Sequence, residues 1–282
     1  MSRLFSSRGL ALALGAALWL GASPAGALSL SGLAVSLGGG NSANVFVNGA
    51  SDKTLVRSSV GVVSSAATSF TTRYAAVVGA DKDGAPGSTT PSATLNASYT
   101  ITFQVNASLG QSWSVLLTTS LVGAMTIVSD GKGAASATVG AVTGTASGAG
   151  SLSGSLGLAA PGTLDNQASP ATSLDSGFNA ASGATISGVG TGAPQTVTLN
   201  FSWQMTATTI PQGSSADEAA VRLGIDGALT NFSADNYPGP GARTLANDGQ
   251  FVSATLIPEP ASMLMMFAGL VGLALLGRRT AQ

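Results

Sequence analysis

The sequence predicts an all-β body, an antiparallel β-sandwich or jelly-roll-like arrangement, and three observations carry that reading. Ile101, Phe103 and Val105 alternate with Thr100, Thr102, Gln104 and Asn106, and the same period of two returns from Val197 to Met205 against Thr198, Asn200, Ser202, Gln204 and Thr206. Alternation of this kind puts one face of a strand in a core and the other in water. Turn clusters such as Asp81-Lys-Asp-Gly, Ser129-Asp-Gly-Lys and Asn247-Asp-Gly separate short runs rich in Val, Thr, Leu and Ser. Helical signals are few; the main ambiguity is Ser215 to Leu223, where serines could cap a short helix ahead of Asp217 and Glu218.

Further strands are expected at Asn44 to Val47, Thr54 to Val63, Ser69 to Val78, Trp113 to Val122, Gly123 to Ser129, Gly133 to Thr143, Glu218 to Ile225 and Gln250 to Leu256. The segments YTITFQVNAS from Tyr99 and LNFSWQMTAT from Leu199 share an apolar-polar register, as a duplicated sheet would, although so short a pattern also recurs by chance. From Gly131 to Gln195 the chain is mostly Gly, Ala, Ser and Thr, with Phe178 its only aromatic residue. Such a stretch buries little apolar area, while its glycines lose the most backbone entropy on ordering. Ordered strands are expected to about Leu158, and loops from Ala159 to Ala181.

Composition excludes several chemistries. The chain has no cysteine and no histidine. A folded state therefore rests on packing without disulfides, and no Ser-His-Asp or Cys-His nucleophile, histidine-ligated zinc or imidazole proton shuttle is available. Charged residues are only 8% of the chain, 11 basic against 12 acidic. With no long run of either sign, nothing would attract a phosphate backbone, and no nucleic acid partner is expected.

The motifs that suggest chemistry are weak. Gly188-Val-Gly-Thr-Gly-Ala and Gly38-Gly-Gly-Asn-Ser-Ala fit a loose dinucleotide pattern, but each runs into a strand instead of opening a helix. Ser129-Asp-Gly-Lys132 satisfies S-x-x-K, yet Asp-Gly at its centre reads as a hairpin tip. Asp81, Asp83 and Gly84 form an acidic turn that could offer calcium some oxygens, aided by Asp226, Asp235 or Asp248, without the other positions of an EF-hand loop. Asn96, Asn106, Asn200 and Asn231 each open an Asn-x-Ser sequon. Trp113, Trp203, Tyr74, Tyr99 and Tyr237 are the aromatic rings a sugar could stack on; Trp203 falls in the apolar register of its strand, and Tyr237, beside Pro238, is the better surface candidate. Asp217, Glu218, Asp226 and Asp235 are nominal candidates for a carboxylate hydrolase. Acidic residues this sparse are ordinary in solvated loops, so no catalytic residue, cofactor or metal ligand is assigned.

The two ends carry the strongest signals. Arg3 and Arg8 precede the apolar stretch Gly9 to Gly21, and Ala25-Gly26-Ala27 supplies small residues at the spacing a signal peptidase accepts. Residues 1–27 thus read as a signal peptide passed by the secretion machinery, with Ala25 and Ala27 at the cleavage site. At the other end Pro258, Glu259 and Pro260 precede an uncharged run from Ala261 to Gly277, then Arg278 and Arg279. As a helix the run spans roughly 26 Å, near the lower limit for a bilayer, and the two arginines act as a basic stop on the cytoplasmic side. Pro258 and Pro260 hold the backbone extended, which keeps Glu259 out of the helix.

Ile257-Pro-Glu-Pro-Ala-Ser-Met, an apolar segment and a short basic end, in that order at a C-terminus, resemble the PEP-CTERM sorting signal of exported bacterial proteins. The resemblance covers only residues 258–282. It implies recognition and processing by an exosortase in a Gram-negative species that makes extracellular polysaccharide, with the inner membrane holding the intermediate.

Residues 28–257 are then the extracytoplasmic body. The expectation is a non-catalytic cell-surface or extracellular-matrix protein, associated with biofilm or exopolysaccharide. The alternative is a carbohydrate-binding or adhesin module, and a carboxylate hydrolase is the third reading.

Overall fold

The computed structural model describes residues 28–37, 53–83, 90–167, 172–210, 212, 216–223 and 248–257. Among them all regular structure is β: β1 Ser29–Leu37, β2 Lys53–Ala66, β3 Ser69–Asp83, β4 Ser92–Asn106, β5 Ser112–Ser129, β6 Ala134–Val139, β7 Thr143–Gly148, β8 Ser151–Gly154, β9 Gly162–Gln167, β10 Thr172–Val189, β11 Gln195–Ile210, β12 Ala216–Leu223 and β13 Gly249–Ile257. Two antiparallel sheets face each other. Sheet A runs β1-β4-β11-β6-β9, with β7 continuing alongside β11. Sheet B holds β2, β3, β13, β5, β10 and β8, with β12 also seated between β3 and β5.

The alternation seen in the sequence sets which face is buried. In β4 Leu95, Tyr99, Ile101, Phe103 and Val105 point inward, and in β11 Val197, Leu199, Phe201, Trp203 and Met205 do the same. They meet Phe70, Tyr74, Trp113, Leu117, Leu121 and Ile127 of sheet B in one continuous core. Rings join the layers: Phe70 lies edge-on to Phe103 at 5.1 Å, Tyr74 stacks on Tyr99 at 5.2 Å, and Tyr74 meets Trp203 edge-on at 5.5 Å. Each such side chain contributes about 1.5–3 kcal/mol by leaving water, which is how a fold without disulfides is held.

Several expectations are corrected. Trp113 to Val122 and Gly123 to Ser129 are one strand, because Gly123 marks a close approach and not a break. A Cβ there would lie 2.5 Å from the Arg222 carbonyl oxygen and 2.7 Å from the Phe178 ring. Ala216–Leu223 is a strand where a helix was the main ambiguity, with Ser215 outside the described residues; Asp217, Ala219, Val221 and Leu223 alternate into the core. The loops expected from Ala159 to Ala181 contain β9 and most of β10, and β10 pairs with β5 along its whole length, from Thr172↔Ser129 to Val189↔Ser112. Asp81, Lys82 and Asp83 belong to β3, so the acidic turn is strand. The two look-alike segments are antiparallel neighbours, with Tyr99 opposite Phe201 and Ile101 opposite Leu199. Asn44 to Val47 lies outside the described residues.

β12 and β13 occupy one slot end to end. Leu223 stands opposite Ala76 and Gln250 opposite Tyr74 on β3; on β5, Arg222 faces Ala124 and Gly249 faces Val122. Leu223 and Gly249 thus sit on consecutive rungs, and the inward order Ala219, Val221, Leu223, Gln250, Val252 continues across the junction. β12 and β13 thus share one central line of sheet B, and residues 224–247 between them lie outside the described residues.

Candidate functional site

Three places in the fold concentrate polar or topological features. The first is the pole where both ends of the body arrive. The two-residue turn between β2 and β3 presents adjacent carbonyls; Leu30 N–H donates to Ala67 O at 2.7 Å and Leu256 N–H to Thr68 O at 2.9 Å. Leu28 and Ile257 therefore leave from one end of the body. Among the described residues no helix is long and apolar enough to cross a membrane. Ala25, Ala27, Pro258, Glu259, Pro260, the run 261–277, Arg278 and Arg279 all lie outside the described residues.

The second is the outer face of sheet A. No Asp, Glu, Lys or Arg occurs in β1, β4, β6, β7 or β11, and Asp165 of β9 is the sheet's only strand-borne charge. Sheet B carries the other strand-borne charges. Apart from Ile210 at the end of β11, the outward positions of β4 and β11 are Ser, Thr, Asn and Gln, tied across the strands. Thr100 Oγ1 donates to Asn200 Oδ1 at 2.9 Å, and Gln204 Nε2 to Asn96 Oδ1 at 2.8 Å. The Ser92 and Thr208 hydroxyls are 3.1 Å apart, and Asn106 Nδ2 donates to Ser31 Oγ at 2.9 Å. These bonds pre-set the amides while Asn96, Asn200 and Gln204 stay exposed. Across β1, β4 and β11 the face offers hydroxyls and amides, which both donate and accept, without any ion to desolvate; exposed Asp165 stands apart on β9.

The third is a buried polar group at the end of the sandwich opposite the pole. Asp217 is fully buried, opposite Lys82 on β3 and Ser129 on β5, both also buried. Neither Asp217 oxygen has a hydrogen-bond donor among the described residues. Ser129 closes the β5–β6 hairpin: its Oγ accepts Gly131 N–H at 3.2 Å and donates to Gly133 O at 3.3 Å. Asp130 caps the same turn, its Oδ1 accepting Lys132 N–H at 2.9 Å, with Lys132 Nζ 3.6 Å from Oδ2. Ser129 to Lys132 is therefore a hairpin tip, as its Asp-Gly centre predicts.

Among the described residues, the chemistry nominated from sequence is not assembled. Asp217 is enclosed in the core, out of a substrate's reach, and Asp226, Asp235 and the Glu218 side chain lie outside the described residues. Among the described residues no group of three or more Asp or Glu side chains could hold a metal ion. Trp113, Trp203, Tyr74 and Tyr99 are at most 5% exposed, so these four rings serve the core instead of a sugar; Tyr237 lies outside the described residues. The buried Lys82–Asp217 position was missed, because a Lys inside an acidic cluster reads as solvated turn until β3 is known to run through it.

The class that fold and faces define is, among the described residues, a helix-free pair of antiparallel sheets, one of whose outer surfaces carries Asp165 as its single strand-borne charge. Compared with known proteins, the chain matches no family model, no curated protein and no solved structure.

Proposed function

We propose that the chain is an exported, non-catalytic surface or matrix protein. Its 1–27 segment directs secretion, and its Pro258-Glu-Pro260 segment, apolar run and basic end hold it at the inner membrane until an exosortase processes it. The observation that supports this reading is the shared pole. With Leu30 and Leu256 clasping one turn, the body can stand on a membrane through either end with its length projecting outward. Removing Pro258 to Pro260 should leave unprocessed precursor in the membrane fraction; a mature product of unchanged mass would refute the sorting role.

A second reading, recognition of neutral exopolysaccharide, is favoured by the uncharged β1-β4-β11 part of the outer face of sheet A. Flat amide and hydroxyl arrays give about 0.5–1.5 kcal/mol per hydrogen bond, so useful affinity comes from many contacts along a polymer. Replacing Asn96, Asn200 and Gln204 together by Ala should abolish retention on the host's exopolysaccharide. Retention equal to that of the parent protein would remove this face from consideration.

A further inference from the structure

Among the described residues, the outer edge of β10 is the one long sheet margin without a protective device. β10 pairs with β5 throughout, but β8 covers its other side only from Ala184 to Ser187. From Thr172 to Gly183 no strand among the described residues pairs with that side. Gly177, Asn179, Ala181 and Gly183 are exposed along it. A bare edge presents unpaired N–H and C=O groups, which proteins ordinarily defend by shortness, bulges or charge.

The other margins carry those defences. β1 has a register shift between Ser31 and Ala34, and its Leu30 N–H is already taken by Ala67. β2 has a register shift between Val62 and Ser64 and carries Lys53 and Arg57. β7, β8 and β9 are six residues or fewer. β10 runs for 18 residues in unbroken register, with no Pro, Lys or Arg, and Asp175 is its only charge.

We propose that this edge is a self-association surface, to which a second copy of the chain adds its own β10 in antiparallel sense, merging two B sheets into one. A strand meeting itself antiparallel is complementary by symmetry, each copy supplying what the other lacks. Apart from Leu174, Asp175 and Phe178 the residues along the edge are small and neutral, so they offer few side chains to select a foreign partner. β8 ends the free margin at Gly183, so the overlap lies between Thr172 and Gly183 in both copies. Antiparallel overlap puts the two Asp175 residues on opposite sides of the two-fold axis, where they do not oppose each other.

The test is hydrogen exchange of the full-length chain in a mild detergent, compared across a wide range of protein concentration. Peptides from Thr172 to Gly183 should gain protection as concentration rises, and those of β2 should not. Exchange independent of concentration, or protection gained elsewhere, overturns the proposal. Sedimentation of the Asn179→Lys/Ala181→Lys variant should show at least tenfold weaker association with an unchanged circular dichroism spectrum. A folded variant that associates like the parent is equally fatal, and the exchange result on the unaltered chain decides the matter should the variant misfold.

Discussion

Leu30 and Leu256 donate their backbone N–H groups to neighbouring carbonyls of the same turn, Ala67 and Thr68, at 2.7 and 2.9 Å. Leu30 belongs to sheet A and Leu256 to sheet B, so the β2–β3 turn fastens the two layers at the pole where both terminal segments begin. Leu30→Pro removes one of these donors without touching the ladder to β4. Because Leu30 is also a buried core residue, the expected cost of losing donor and side chain together is about 2–5 kcal/mol, a fall in melting temperature of about 5–15 °C. A thermal melt checks it, and an unchanged melting temperature would show that the clasp contributes nothing.

The junction of β12 and β13 gives a sharper test. Deleting residues 224–248 joins Leu223 to Gly249 on rungs that are already consecutive, so the product should contain one uninterrupted central strand. Loop closure entropy changes slowly with length, and the melt should stay within about 5 °C of the parent. Ala75, Val77, Ala124 and Ala220 are buried on the outer face beside the junction, and any of that surface uncovered by the deletion reads out as added binding of an apolar dye. Loss of the β spectrum would mean the two strands are not one.

Gly133 is required by Asp217. A Cβ at that position would land on Asp217 Oδ2 and lie 2.8 Å from the Ile210 carbonyl oxygen. Gly133→Ala must push a fully buried carboxylate aside, and overpacking of this kind costs about 1–3 kcal/mol. Denaturant titration should show the midpoint falling with the slope unchanged.

Alkaline stability follows from two tyrosines. Burial pushes Tyr74 up to about 12, and burial raises Tyr99 well above 10.0, helped by the neighbouring Tyr74. A raised phenol pKa means the folded state favours the neutral form, so this stability is complete below pH 10 and is lost as pH climbs through 12 and beyond. For Tyr74 the loss is about 2–3 kcal/mol. With no histidine in the chain, the melt should be nearly flat around neutral pH, then drop as tyrosinate absorbance appears. Tyr74→Phe should shift that drop to higher pH.

The body was legible where side chains alternate and opaque where they do not. β4 and β11 announce themselves because large apolar residues contrast with Thr, Asn and Gln at every second place. β10 does not, since Ala, Gly and Ser occupy both its faces; its strand character comes from β5, a partner no local pattern reveals. Gly123 and the Asp81 to Asp83 cluster misled for a related reason. Glycine and acidic residues signal turns statistically, but here one fits a crowded crossing beside Arg222 and the others prolong β3 to meet β12. The uncharged part of the outer face of sheet A was half visible, since the sequence shows which residues point outward but not that β1, β4 and β11 lie side by side.

β13 ends at Ile257 between β3 and β5, hydrogen-bonded to both. Tension applied through the tail would thus load the rungs on either side together, in shear, instead of peeling them one at a time. A pull at that end would therefore meet a central strand first, and would strip edge elements such as β8 or β9 only after the centre had yielded.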